Sequence, residues 1–347
     1  MKIAITGATG FVGTNLQEYL KISHEVFSMS VRFQPNQDLK VEGDAIIHLA
    51  GKAHDLKKVS QPQDYYEANF ELTKQLFDAF LVSEARVFVF MSTVKAAADR
   101  VEGVLTEEGD INSKIQIPNS KRITAKTQGL STALEVAGGG NSKTEIPNSN
   151  VKNPNSKVEP AEPKTHYGIA KQMAEQYILS QALPEGKRVY ILRPCMIHGP
   201  GNKGNLNLLY QLVAKGLPWP LGAFENQRSF LSIENLCFVI KELLENDGIP
   251  SGVYNVADDA SLSTNELIQL LGESLGKSVK IWNLSQNLIS SLAKIGDVLP
   301  LPLNSERLQK LTESYVVSNQ KIVQAIGKPL PKSSADGLRL TFKSFRK

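Results

Sequence analysis

The chain has 347 residues, 41% of them apolar and 21% charged, with a net charge of +4. That length and composition suit one large α/β unit with a smaller lobe and exclude disorder across the whole chain. The basic residues are spread rather than clustered, so no nucleic-acid footprint is expected. Cys195 and Cys237 stand far apart and form neither a disulfide framework nor a metal-ligand spacing, so no metal site is expected. No apolar run reaches the length of a membrane span. The first strand starts at Lys2, leaving no room for a signal peptide, and a cytoplasmic location is expected.

In chain order, Lys2 to Thr6 is a short β-branched strand, and Thr14 to Lys21 is helical. His24 to Val31 is a second strand. Asp44 to Ala50 is continuously apolar, as a strand buried on both faces should be. Tyr65 to Leu81 has helical spacing, and Arg86 to Met91 is another buried strand. From about 112 to 163 the chain turns to Asn, Ser, Lys, Pro and Gly, which marks a long irregular insertion. A helix follows from Tyr167 to about Ala182, then a strand from Arg188 to Leu192. Further helices are expected at Leu206–Lys215, Ile233–Glu245, Thr264–Leu275 and Gln286–Ile295. Strands alternating with helices give a doubly wound parallel sheet of Rossmann type. Residues 1–194 are expected to form it, with 195–347 mainly a smaller α/β substrate lobe set on a sheet already complete.

Gly7, Gly10 and Gly13 follow the first strand and open a helix. The first allows a tight turn, the second lets backbone N–H groups approach a pyrophosphate, and the third lets helix and strand pack closely. This is a dinucleotide site. Ser28-Met29-Ser30-Val31-Arg32, where the second strand ends, holds no acid to bind ribose hydroxyls. NADP(H) is therefore expected over NAD(H), with Arg32 either near the 2′-phosphate or a solvated charge.

Tyr167 and Lys171 stand four apart at the start of a helix and so share a face. An ammonium beside the phenol should lower its pKa and let it exchange a proton with a carbonyl or an alcohol. Ser92 and Thr93, at a strand end, stand where a hydroxyl donor to the substrate oxygen belongs.

With these residues the chain resembles the extended short-chain dehydrogenase/reductases, the NAD-dependent epimerase/dehydratase group. Other marks are Asp44 with His48-Leu49-Ala50-Gly51, Asn69, Arg193-Pro194, His198 to Gly201, and Arg228 to Ile233. The resemblance implies that Gly7, Gly10, Phe11 and Val12 line the cofactor pyrophosphate, beside Gly13. Leu49, Ala50 and Gly51 would lie under the nicotinamide-side ribose. Thr93 would be the hydroxyl donor, Tyr167 the acid/base and Lys171 its ribose-binding partner. Asn205 and Arg228 would hold the substrate diphosphate, a task that suits bidentate arginine. His198, beside a Gly-Pro-Gly turn, is expected to pack structurally. Related enzymes form homodimers through helices flanking the sheet, and here the helix with Phe70, Phe77 and Phe80 and the one after Tyr167 are the candidates.

Within the group, His48 to His54, Ser92 to Lys95 and Gly216 to Gly222 look closest to enzymes that reduce UDP-4-keto-6-deoxy-N-acetylhexosamines for surface polysaccharide. An NAD-dependent C4 epimerase is the alternative, and an NADP(H)-sensing binding protein is the alternative outside enzymes. A dehydratase is disfavoured, because Val94 and Lys95 follow Thr93 where it would need an acid. Two features set the chain apart. The insertion separates Thr93 from Tyr167 widely, and the short segment between Arg32 and Asp44 leaves little room for a third strand.

Overall fold

A computed structural model of the protein describes residues 1–53, 61–108, 163–202, 206–299 and 303–346. Six parallel strands form the central sheet: β1 (Lys2–Thr6), β2 (Glu25–Met29), β3 (Ala45–His48), β4 (Val87–Met91), β6 (Arg188–Pro194) and β9 (Gly252–Val256). Their spatial order is β2-β1-β3-β4-β6-β9. β2 is an edge strand, and residues 30–44 supply no strand beyond it, as the short segment there implied.

Alternation along each strand sends side chains to opposite faces. Ile3, Ile5, Ala45, Ile47, Val87 and Val89 meet α1 (Phe11–Leu20), α6 (Ile233–Glu245) and α10 (Gln320–Ile326) on one face. Ile46, Phe88, Phe90 and Ile191 meet α3 (Leu72–Val82) and α4 (His166–Ser180) on the other. Phe77 and Phe80 are buried against Phe88, so these two rings serve the core and offer nothing to a partner subunit.

The expected helix over 65–81 is instead three joined pieces. They are α2 (Pro62–Tyr66), a π-helical turn at Glu67–Glu71, and α3. The wider turn carries Asn69 inward, as π-bulges at functional sites do.

The sheet is not complete at Pro194. β9 adds a sixth strand, and α6 and α10 pack on its face. The expectation of a finished sheet missed this because Gly252-Val253-Tyr254-Asn255-Val256 is short and follows Pro250-Ser251 just after the Asp247-Gly248 turn. The remaining strands form two small sheets. One holds β10 (Ser261–Leu262), β8 (Arg228–Ser232) and β7 (Met196–His198), and the other pairs β5 (Val104–Leu105) with β11 (Val316–Val317).

A third core brings Trp219, Phe230, Leu267, Leu271, Ile289 and Phe342 together. It is built by α5 (Leu206–Ala214), α7 (Thr264–Leu275), α8 (Gln286–Val298), α9 (Ser305–Thr312) and α11 (Ser334–Ser344). A capping box between Ser263 and Glu266 starts α7, and left-handed Gly276 ends it. Apart from Pro163, the expected insertion lies outside the described residues.

Candidate active site

The glycine turn lies between β1 and α1. Gly7 adopts φ +67°, and a Cβ there would sit 2.7 Å from Ala50 N at the end of β3. A Cβ on Gly13 would lie 2.4 Å from Gly7 O, so helix and strand approach as closely as glycine permits. Gly10 is exposed, and its Cβ would meet only Gly7 O, at 3.3 Å. As N-cap it offers no side-chain acceptor to the first turn of α1, whose N–H groups therefore face outward. An open floor of N–H donors at a helix N-terminus fits a pyrophosphate. Phe11 and Val12 begin that helix half-buried, and Leu49 and Ala50 line the neighbouring strand end beside exposed Gly51. Arg32 is exposed, past the end of β2.

At the ends of β4 and α4 the structure brings Thr93, Tyr167 and Lys171 together. Thr165 caps α4 by accepting from Gly168 N at 3.1 Å. That start turns Tyr167 toward Thr93, whose hydroxyl lies near enough to favour the phenolate. Lys171 is 3% exposed, and its Nζ donates to Met91 O at 2.8 Å and lies 4.5 Å from the centre of the Phe90 ring. A Cβ on Gly51 would stand 3.3 Å from that Nζ, which puts the loop after β3 directly on the lysine. Asn69 fixes this loop, accepting from Lys52 N at 3.1 Å and donating to Lys52 O and Tyr65 O at 3.0 Å each.

The electrostatics differ from the sequence expectation. Burial pushes the Tyr167 phenol up to about 12, with nearby Thr93 only partly opposing it. Burial pulls Lys171 down to about 7, against the carboxylate of Glu175, which raises it. The lysine was expected to lower the phenol's pKa, but desolvation prevails because both groups are enclosed. Tyr167 is thus a neutral phenol with a proton to give. His48, buried beside Lys171, is pulled down to about 3 and stays neutral. It shares hydrogen bonds with Thr6 and Thr73, at 2.7 and 3.0 Å.

Ser92, expected to face substrate with Thr93, is buried, and its hydroxyl donates to Glu175. Arg193 Nε donates to the same Glu175 oxygen at 2.9 Å, and its Nη2 donates to the other. Glu175 and Arg193 are both fully buried. Sequence reasoning took Arg193 as a motif mark and missed Glu175 altogether. The signal was present, since Glu175 continues the Tyr167–Lys171 face by one more helical turn.

Arg228 begins β8, and its Nη1 donates to Lys310 O at 2.6 Å. Burial lowers its pKa, and Glu313 works against that. The hydroxyl of Tyr315, whose backbone N–H bonds Gln227 O, donates to Val94 O and Ala98 O at 3.1 and 2.7 Å. Lys95 Nζ donates to Asp99 O at 2.5 Å and lies 4.2 Å from the centre of the Tyr315 ring. Tyr315 and Lys95, neither singled out as site residues from sequence, therefore tie Arg228's strand to the turn after Thr93. Asn205 lies outside the described residues. His198 is buried, with Nδ1 2.9 Å from Thr341 Oγ1 and Nε2 3.5 Å from Asp258.

A glycine floor beside a hydroxyl–phenol–lysine set defines a nicotinamide-dependent enzyme of Rossmann type. Residues 3–142 and 130–257 match the NAD dependent epimerase/dehydratase family, and the chain belongs to it. It is 26% identical to UDP-glucose 4-epimerase of Vibrio cholerae over 99% of this chain and 95% of that one. It is 24% identical to GDP-6-deoxy-D-mannose reductase of Pseudomonas aeruginosa over 78% of this chain and 79% of that one. Among solved structures, UDP-glucuronic acid 4-epimerase from Bacillus cereus, in complex with NAD, superposes with a TM-score of 0.64 at 17% identity, covering 100% and 99%. RMD from Pseudomonas aeruginosa, complexed with NADPH, gives 0.60 at 18% identity, covering 100% of both. Among the described residues, no helix is long and apolar enough to cross a membrane.

Proposed function

We propose that the protein reduces the 4-keto group of a UDP-linked 6-deoxy-N-acetylhexosulose with NADPH, in the cytoplasm, toward surface polysaccharide. One observation carries this reading. The proton that a ketone reduction needs is already on Tyr167, whose phenol burial holds neutral beside Thr93. Bound nicotinamide would supply hydride. Tyr167 gives its proton to the developing alkoxide, and Thr93 orients that oxygen. Lys171, fixed by Met91 O, would bind the nicotinamide-side ribose over Leu49, Ala50 and Gly51, while Gly7, Gly10, Phe11, Val12 and Gly13 would cradle the pyrophosphate. Arg32 and the absence of an acid at Ser28-Met29-Ser30 favour the 2′-phosphate of NADP.

Arg228 takes the substrate diphosphate, with Asn205 as its partner. A guanidinium has five donors, so the bond to Lys310 O leaves capacity for that anion. Ser92, buried next to Thr93 in the chain, is held by its bond to Glu175. Residues 195–347 supply chiefly the substrate side, while β9 completes the cofactor-side sheet.

Loss of NADPH absorbance on adding a UDP-4-keto-6-deoxy-N-acetylhexosamine, abolished by Tyr167→Phe, tests the proposal. No loss with any such sugar would overturn it. The second reading, an NAD-dependent C4 epimerase, draws on the Vibrio cholerae relative, which matches this chain nearly end to end. It predicts NAD⁺ retained through purification and conversion of a UDP-hexose with no cofactor added.

A further inference from the structure

Helix α8 carries two apolar faces. Ile289, Ala293 and Gly296 form the inner one, and a Cβ on Gly296 would stand only 1.9 Å from Leu303 O, so this face is fully used. Leu288, Leu292, Ile295 and the C-cap Leu299 form the outer one. Their spacing of i, i+4, i+7, i+11 puts them on a single stripe. They are 49%, 44%, 49% and 52% exposed. Val298 widens the stripe at one end, and Trp282, 49% exposed, stands in the segment leading into the helix. Single exposed leucines need no explanation, but a continuous apolar stripe with a tryptophan beside it does.

The charges around it indicate what covers it. Between 277 and 299 the exposed charged residues are Lys277, Lys280, Lys294 and Asp297. The Asp297 carboxylate accepts from Ser305 N at 2.9 Å and Ser305 Oγ at 2.6 Å, and its one negative charge stands against the three lysines. The rim is therefore cationic. In a two-fold dimer the same rim would meet itself, lysine facing lysine, whereas an anionic surface complements it. Aliphatic side chains rimmed by lysines, with an indole near the boundary, match the interface of an acidic phospholipid bilayer.

We propose that the outer face of α8 docks the protein peripherally on a bilayer of anionic phospholipid. α9 packs against α8, and its Glu306, Gln309 and Lys310 line a groove with Asp99, Lys164 and Thr165. Thr165 is the N-cap of the helix that carries Tyr167.

The test uses the full chain with vesicles of phosphatidylcholine containing about one-third phosphatidylglycerol, against vesicles of phosphatidylcholine alone. The protein should co-sediment with the anionic vesicles and release as salt rises. Binding should fall about fivefold for each of Lys280→Gln and Lys294→Gln, at roughly the energy of one lysine near an anionic surface. The double variant Leu292→Glu/Ile295→Glu should abolish it. The chain has two tryptophans, and Trp219 is 2% exposed, so a blue shift of emission on adding vesicles reports Trp282. The altered side chains are exposed, and circular dichroism confirms that each variant is folded. A wild-type chain that stays in the supernatant with unshifted emission would overturn the proposal. So would a dimer dissociated by Leu292→Glu/Ile295→Glu without any vesicle binding, which would assign the face to a second copy.

Discussion

Tyr167 stands beside Thr93 although the long insertion separates them in sequence. β4 delivers the first at its C-terminal end, and the capped start of α4 delivers the second. The pair should therefore fail in different ways when cut. Tyr167→Phe removes the transferable proton and should lower kcat by about 10²-fold or more, with the dissociation constant of the nicotinamide cofactor nearly unchanged. Thr93→Val removes the orienting hydroxyl and the 3.3 Å bond it accepts from Lys95 N, but leaves the proton donor, and should cost less. Steady-state kinetics with cofactor titration checks both, and equal losses would show that Tyr167 is not the proton donor.

The shifted groups set a pH dependence of stability. Lys171 titrates near 7 folded against 10.5 unfolded, so between those values the unfolded chain binds the extra proton. Its contribution to stability therefore rises with pH across that window. His48 behaves likewise between about 3 and 6.5, so the fold should lose stability on acidification below 6.5. Tyr167 acts oppositely, since its raised pKa makes the folded chain the tighter proton binder from 10 to about 12 and stability falls there. Urea unfolding of wild type and Lys171→Met, from neutral to alkaline pH, should show the wild type gaining on the variant. A constant difference would contradict the buried lysine.

What was legible in the sequence was whatever repeats locally. Short β-branched and fully apolar runs gave β1 and β4, three glycines gave the turn, and Tyr167 with Lys171 gave a helix face. The rest depends on distant partners. Glu175 finds Arg193 and Ser92 only when α4 lies across β4 and β6. Tyr315 reaches Val94 from the far end of the chain, and no pattern near either residue announces it. α10 and α11 are short helices at the chain's end that the outward pattern did not reveal. The effect of Lys171 on Tyr167 was misjudged because adjacency is visible in a sequence and desolvation is not.

The glycines separate folding from binding. Gly13→Ala drives a methyl into backbone at 2.4 Å, and Gly7→Ala adds a left-handed φ to a 2.7 Å clash. Each should cost about 1–3 kcal/mol of stability by forcing the backbone to shift. Gly10→Ala meets only one backbone oxygen at 3.3 Å, so the fold should tolerate it. Its methyl would nonetheless stand on the exposed floor, so cofactor affinity should fall while the melting temperature hardly moves. Thermal melts beside cofactor titration distinguish these cases, and a Gly10→Ala chain that binds normally would remove that floor from the cofactor site.

Glu175 closes a buried network that spans the site's back wall. Its carboxylate takes Ser92's hydroxyl and two donors from Arg193, and it is the group that raises Lys171's proton affinity. Glu175→Gln keeps the shape but removes the charge, leaving the buried Arg193 guanidinium without its carboxylate. Breaking such a pair costs about 3–5 kcal/mol, so the variant should unfold at much lower urea. The catalytic effect has its own sign. Without Glu175 the ammonium form of Lys171 loses its stabilising partner, so any inflection near pH 7 in kcat should move to lower pH. A merely structural role would lower the yield of folded enzyme and leave that inflection where it was. Measuring the profile on the folded fraction therefore decides whether Glu175 tunes Lys171 or only braces the sheet.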